Sequence, residues 1–189
     1  PDALPLSQPV SEISTIQYTQ TSALEGSHDL MRENRLISSL DHSEYTEAIK
    51  ILSTQVLQRM KENHWSSIAV TSARKAEGKT SIAINLGISI AQEVEYTVLV
   101  IDANIRHPNL HEYFGINPEH GLSDYLTSDV ELSSLLINPK GLDHCVILPA
   151  GNPLMSSSEL LSSPKMCSLV EELTSRYPKR IIIFDLPPV

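Results

Sequence analysis

The segment SIAVTSARKAEGKTSIAINLGISIA, residues 67 to 91, constrains the fold more than any other part of the chain. Ser67 to Thr71 is a short β-branched run that reads as a buried strand. An apolar helix is predicted from Thr80 to about Glu93. The loop between them ends in Gly78-Lys79-Thr80. A loop of the form G-x-x-x-x-G-K-[ST], set between a strand and a helix, turns backbone N–H groups and the helix dipole onto phosphates. Its lysine reaches the outer phosphates and its hydroxyl residue coordinates Mg²⁺. The first loop position is Ala73 rather than glycine. Alanine serves there if its torsions stay in an allowed region. The expected binding set is Ala73, Arg74, Lys75, Ala76, Glu77, Gly78, Lys79, Thr80 and Ser81.

Three further apolar runs read as strands: Thr97–Asp102 (TVLVID), Cys145–Leu148, and Arg180–Asp185 (RIIIFD). Helices are predicted over about 41–62, where Tyr45, Ala48, Ile49, Leu52, Val56 and Met60 recur at helical spacing with Asp41 or Ser43 as cap. A looser helical region covers roughly 108–137. Another helix runs from Ser163-Pro164 to about Tyr177. Uniformly apolar strands alternating with helices imply an α/β domain with a mostly parallel sheet and helices on both faces. Residues 1 to about 40, rich in Ser, Pro, Thr and Gln, read as a flexible arm, leaving 41–189 as the folded domain.

Two of the strands end in a carboxylate, Asp102 and Asp185. Ligands of open α/β sheets bind at the carboxyl ends of strands, and carboxylates are hard oxygen ligands suited to Mg²⁺. A strand-end turn explains either aspartate alone. Together with the loop they point to a nucleotide site. The formal net charge of −9 argues against nucleic acid as the main partner. No apolar run approaches the roughly 20 residues of a spanning helix. Cys145 and Cys167 form no C-x-x-C pair and read as two buried, reduced thiols. Trp65 reads as a packing residue. His107 and His111 read as surface or loop histidines rather than zinc ligands, and Ser156 to Ser158 as a loop and helix cap.

With these motifs in order, followed by GLSDYL and SSELLSSPKMCSLVEELTSRYPKRIIIFDLPPV, residues from about 44 to 189 resemble the bacterial tyrosine kinases of capsule and exopolysaccharide synthesis. That resemblance implies a P-loop fold related to the cell-division and partition ATPases. It implies ATP- and Mg²⁺-dependent phosphorylation of tyrosine, largely on the kinase's own C-terminal tail. A membrane-embedded activator from the polysaccharide export machinery would recruit a cytoplasmic domain to the inner face of the membrane. Lys79 and Asp102 carry over as catalytic residues, Arg106 as a nucleotide contact, and Thr80, Asp102, Asn104 and Asp185 as the metal set. Relatives read Pro-Gly at Lys75-Ala76 and aspartate at Asn104. Their ring-forming Glu-x-x-Arg-x-x-Arg helix corresponds to Glu47, Lys50 and Ser53, where only the first residue is kept and a homo-oligomer is one expectation. The chain stops at Val189, directly after the third motif, where relatives continue into further strands, adenine contacts and a tyrosine-rich tail. The six tyrosines form no cluster. A fragment or a truncated protein is therefore expected. Two other readings stand beside the kinase: a partition-type ATPase switch, and a degenerate nucleotide-binding regulator.

Overall fold

The computed structural model describes residues 22–24, 27–37, 43–93, 95–155, 157–175 and 179–189. Among them six strands form one sheet: β1 (Ser22–Leu24), β2 (Ser67–Val70), β3 (Thr97–Asp102), β4 (Ile137–Pro139), β5 (Cys145–Leu148) and β6 (Arg180–Asp185), in the order β1-β4-β5-β3-β6-β2. The strands β5, β3, β6 and β2 are mutually parallel, and β4 runs antiparallel to β5. The fold is therefore mixed, mostly parallel α/β, as expected.

The uniformly apolar strands have a physical reason. Successive side chains alternate between faces, and both faces of the central strands are covered. Val98, Val100, Ile147, Ile181 and Ile183 face one core, packed with α2 (Glu44–Asn63) and α3 (Lys79–Ala91). Leu99, Ile101, Val146, Leu148 and Ile182 face a second core, closed by α4 (Leu122–Thr127), α5 (Leu132–Leu135) and α7 (Pro164–Ser175). A short α1 (His28–Glu33) and an α6 (Ser157–Leu161) complete the described helices.

α3 is buried almost all round because it lies between α2 and the sheet. Gly87 allows that approach. A Cβ there would stand 2.7 Å from Val100 Cγ2. On the other side, Ser53 of α2 and Ser89 of α3 share a hydrogen bond of 2.8 Å. Ser53 thus faces inward, while Glu47 and Lys50 stay exposed. Ser43 caps α2, its hydroxyl accepting from the Thr46 N–H; Asp41 lies outside the described residues.

Several expectations are corrected. The folded domain begins before residue 41: β1 pairs with β4, α1 packs beside the 3₁₀ turn Leu110–Phe114, and Leu36 and Ile37 enter the core. Tertiary bonds hold this segment, not local periodicity. Asn85, fully buried in α3, accepts from the Ile37 N–H at 2.8 Å and donates to the Arg35 carbonyl. Residues 1–21 lie outside the described residues, as do Tyr18 and Tyr177. The looser helical region over roughly 108–137 resolves into the 3₁₀ turn, α4 and α5, and ends at the start of β4. Ser157 and Ser158 already belong to α6, and Ser156 lies outside the described residues. Trp65 is 58% exposed, two residues before the sheet-edge strand β2, and Cys167 is exposed on α7. Cys145 is buried, and burial pushes its thiol up to about 12.

Candidate nucleotide site

The loop after β2 leads into α3 through Gly78, the N-cap residue, at φ 84°. That left-handed torsion calls for glycine. A Cβ there would meet nothing within 4 Å, so space is not the constraint. Ala76 adopts the same region at φ 62°, where an alanine is strained. Ala73 is not among the positive-φ residues, so its methyl is tolerated at the first loop position. The exposed loop is braced across its own turn. The Arg74 N–H donates to Glu77 Oε2 at 2.9 Å, and the Ser72 hydroxyl donates to the Arg74 carbonyl at 2.7 Å. Lys75 Nζ lies 2.9 Å from His107 Nε2. The Ser81 hydroxyl is 3.4 Å from Asn85 Nδ2.

The first turn of α3 meets the strand-end carboxylate of Asp185. Thr80, 2% exposed, donates to Asp185 Oδ2 at 2.6 Å. Lys79 Nζ stands 3.3 Å from Asp185 Oδ1 and 3.2 Å from the Thr80 hydroxyl. Asp102 and Asp185 are register partners on the adjacent strands β3 and β6, both with 0% exposure. Burial raises the Asp185 carboxyl above its ordinary value, opposed by the Thr80 hydrogen bond and the Lys79 charge. Burial also pushes Asp102 up to about 6, with the Asp185 charge adding to the rise. Opposing it, Asp102 accepts three backbone N–H groups: Asn104 on Oδ1, and Asn109 and Leu110 on Oδ2, each at 3.1 Å. Asp102 is thus both a strand-end carboxylate and the clamp on the turn 104–110.

That clamp delivers a residue the sequence reading missed. Asn109 Oδ1 lies 3.2 Å from the Thr80 hydroxyl. No local signal marks it, because its place depends on the chain folding back onto Asp102. Asn104 is buried and donates from Nδ2 to the His107 carbonyl at 2.9 Å, while its Oδ1 is buried with no hydrogen-bond partner. Arg106 is turned elsewhere. Its guanidinium is exposed and donates to the Met155 carbonyl at 3.0 Å, bridging the loops that follow β3 and β5.

The donor set suits a nucleotide with its dication. Loop N–H groups and Lys79 offer phosphate contacts, and Thr80 and Asp185 offer hard oxygens within 2.6 Å of each other. The orphaned Asn104 Oδ1 is an acceptor that a hydrated dication beside it would satisfy.

Several named proteins are similar to this chain in sequence or fold. Over 161 residues the chain is 32% identical to the tyrosine-protein kinase YwqD of Bacillus subtilis, covering 84% of this chain and 65% of that protein. Over 145 residues it is 32% identical to the tyrosine-protein kinase etk of Escherichia coli, covering 76% of this chain and 19% of that protein. The solved kinase domain of Escherichia coli ETK superposes with a TM-score of 0.69 at 28% identity, covering 88% of this chain and 68% of that one. The homologues of this chain are bacterial tyrosine-protein kinases. The chain spans less than two thirds of the length of these two curated relatives. The fold reaches further, to the septum site-determining protein MinD of Pyrococcus horikoshii, solved with Mg-ADP, at a TM-score of 0.54 and 22% identity over 65% of this chain and 49% of that one. No protein-family model matches the chain. Among the described residues, no helix is long and apolar enough to cross a membrane.

Proposed function

We propose that the chain is the nucleotide-binding portion of an ATP- and Mg²⁺-dependent protein-tyrosine autokinase acting in capsule or exopolysaccharide synthesis. The observation that carries this reading is the convergence of Lys79, Thr80 and Asp185 at the start of α3, with Asp102 as the register neighbour of Asp185. In this reading the loop amides and Lys79 bind the phosphates, and Thr80 and Asp185 hold the dication with Asn104 beside it. Bound Mg²⁺ supplies charge neutralisation on the phosphates being separated. Asp102 takes the proton of the acceptor tyrosine hydroxyl. A base with a value near the working pH suits that task, and about 6 meets it. A carboxylate offers about four acceptor sites, so three N–H bonds leave room for a further hydrogen bond. Because Asp102 is 0% exposed, the turn 104–109 must move aside for an acceptor to approach. Arg106 would contact nucleotide only after leaving Met155. The partner proposed is the membrane-embedded activator that the resemblance implies, bringing the domain to the inner face of the membrane.

A second reading, a nucleotide-binding regulator without kinase activity, is favoured by Asn104 and by the strained Ala76. Incubating the protein with ATP, Mg²⁺ and a glutamate–tyrosine copolymer, then blotting for phosphotyrosine, separates the two. Phosphate on tyrosine supports the kinase. Tight nucleotide binding with no phosphotyrosine supports the regulator.

A further inference from the structure

A cavity of about 1110 Å³ lies between residues 31–37, the start of α2, the last turn of α3 and the β4–β5 loop. That is slightly above the roughly 300–1,000 Å³ usual for small-molecule sites. It is not the nucleotide site. It reaches Cys145 at the amino end of β5, whereas the phosphate loop follows the carboxyl end of β2 in the same parallel set of strands. The length of α3, about 20 Å at 1.5 Å per residue, separates the two.

The floor and the rim differ in character. Leu36, Ile37, Ile88, Ala91 and Cys145 line the cavity and are all buried. Arg32, Arg35 and Lys140 also line it, against one carboxylate, Asp143, among the described lining residues. Both arginines are exposed, and neither forms an ion pair among the described residues. A cationic rim on a chain of net charge −9 is a local reversal of sign. Concave low-dielectric walls strengthen such a field. His144 contributes an Nδ1 that is buried without a hydrogen-bond partner. The wall is also preformed. Asn85 holds the Arg35 carbonyl, the Ile37 N–H and the Tyr45 hydroxyl, with bonds of 3.2, 2.8 and 3.0 Å.

We propose that this cavity binds a small organic phosphate, with its apolar part on the Leu36–Ile37–Ala91 floor and its phosphate at Arg32 and Arg35. Guanidinium groups match phosphate oxygens with two parallel N–H bonds. A neutral ligand would leave the cations unused, and a bare anion would leave the floor unfilled. The inference stands apart from the kinase reading, since it uses none of the residues of the nucleotide site.

The test is a backbone-amide NMR titration of the protein carrying Lys79→Met, which removes the loop ammonium, with phenyl phosphate as probe. A parallel titration uses the unsubstituted protein with the loop saturated by ADP, should Lys79→Met fold poorly. Phenyl phosphate is expected to shift amides of residues 35–37, 88–92 and 141–145. Inorganic phosphate and phenol are each expected to bind at least tenfold more weakly. Arg32→Gln with Arg35→Gln is expected to weaken phenyl phosphate binding at least tenfold without lowering the melting temperature, since both side chains are exposed. Shifts confined to residues 72–81, or none at millimolar probe, would overturn the site. Equal affinity for inorganic phosphate would overturn the organic class of ligand.

Discussion

The Thr80 hydroxyl donates to Asp185 Oδ2 at 2.6 Å, tying the first turn of α3 to the end of β6. The same carboxylate also pairs with Lys79 at 3.3 Å. The loop lysine and the loop hydroxyl therefore share one buried acid. Strand β6 is thus part of the loop's architecture, although 106 positions separate Lys79 from Asp185.

Lys79→Met should weaken ATP binding at least tenfold, about 1.4 kcal/mol. The ammonium neutralises charge on the outer phosphates, and methionine has none. Calorimetric titration measures this directly. Unchanged affinity would mean the nucleotide does not sit on this loop.

Ala76→Gly should stabilise the protein. The left-handed region costs a non-glycine residue roughly 1–2 kcal/mol, and Ala76 sits there at φ 62°. Glycine returns about 0.4–1 kcal/mol of that through the freer unfolded chain. The expected net gain is about 0.5–1 kcal/mol, read from urea unfolding. A loss of stability would show that the alanine is not strained.

Gly87→Ala should destabilise, although alanine is the better helix former by about 1 kcal/mol. The new methyl would stand 2.7 Å from Val100 Cγ2 on a fully buried, χ1-restricted side chain. Overpacking of this kind costs roughly 1–3 kcal/mol. A net loss of about 1 kcal/mol is expected, with α3 lifted from β3. A gain would mean that Val98 and Val100 repack freely.

The parts of the fold legible in the sequence are those whose signal is local. The strands β2, β3, β5 and β6 are apolar on both faces, and the phosphate loop carries its own spacing. Asp102 and Asp185 were readable because strand ends are where such sheets bind ligands. The segment 27–37 was not readable, because α1 has only six residues and its place rests on distant groups. The Ser27 N–H donates to the Phe114 carbonyl at 3.0 Å, and the Ile37 N–H to Asn85. Strand β4 contains Pro139, which argues against a strand. Asn109 reaches Thr80 only because Asp102 gathers the turn around itself. Trp65 stands just before β2, and its residue type alone does not tell whether it is buried.

The pH dependence follows from Asp102. Its carboxyl is raised from 3.8 to about 6 by burial. An acid raised on folding stabilises the protein below its unfolded value, and this contribution is lost as pH rises through its folded value. For Asp102 that window runs from 3.8 to about 6, and Asp185 is shifted in the same direction. Activity has the opposite slope, because only the ionised carboxylate can take a proton. The acid limb of kcat/KM should therefore fall off below about pH 6, and the Asp102 carboxyl carbon should titrate there by NMR. A limb near pH 4 would mean that Asp102 is not the base.

Asn104→Asp tests the metal side of the site. Asn104 donates to the His107 carbonyl at 2.9 Å, and its backbone N–H is bonded to Asp102 Oδ1. Aspartate removes the first bond, worth about 1 kcal/mol, and places another negative charge close to Asp102. Without a dication the variant should melt at a lower temperature. With Mg²⁺ and nucleotide the balance reverses, because a charged ligand holds a hard dication more strongly than an amide oxygen does. The melting deficit should shrink as Mg²⁺ is added, and the Mg²⁺ concentration giving half-maximal phosphate transfer should fall. Nucleotide affinity at saturating Mg²⁺ should change little if, as proposed, the loop and Lys79 make the phosphate contacts. If the Mg²⁺ dependence is the same in both proteins, Asn104 does not adjoin the metal, and its unpartnered Oδ1 needs another explanation.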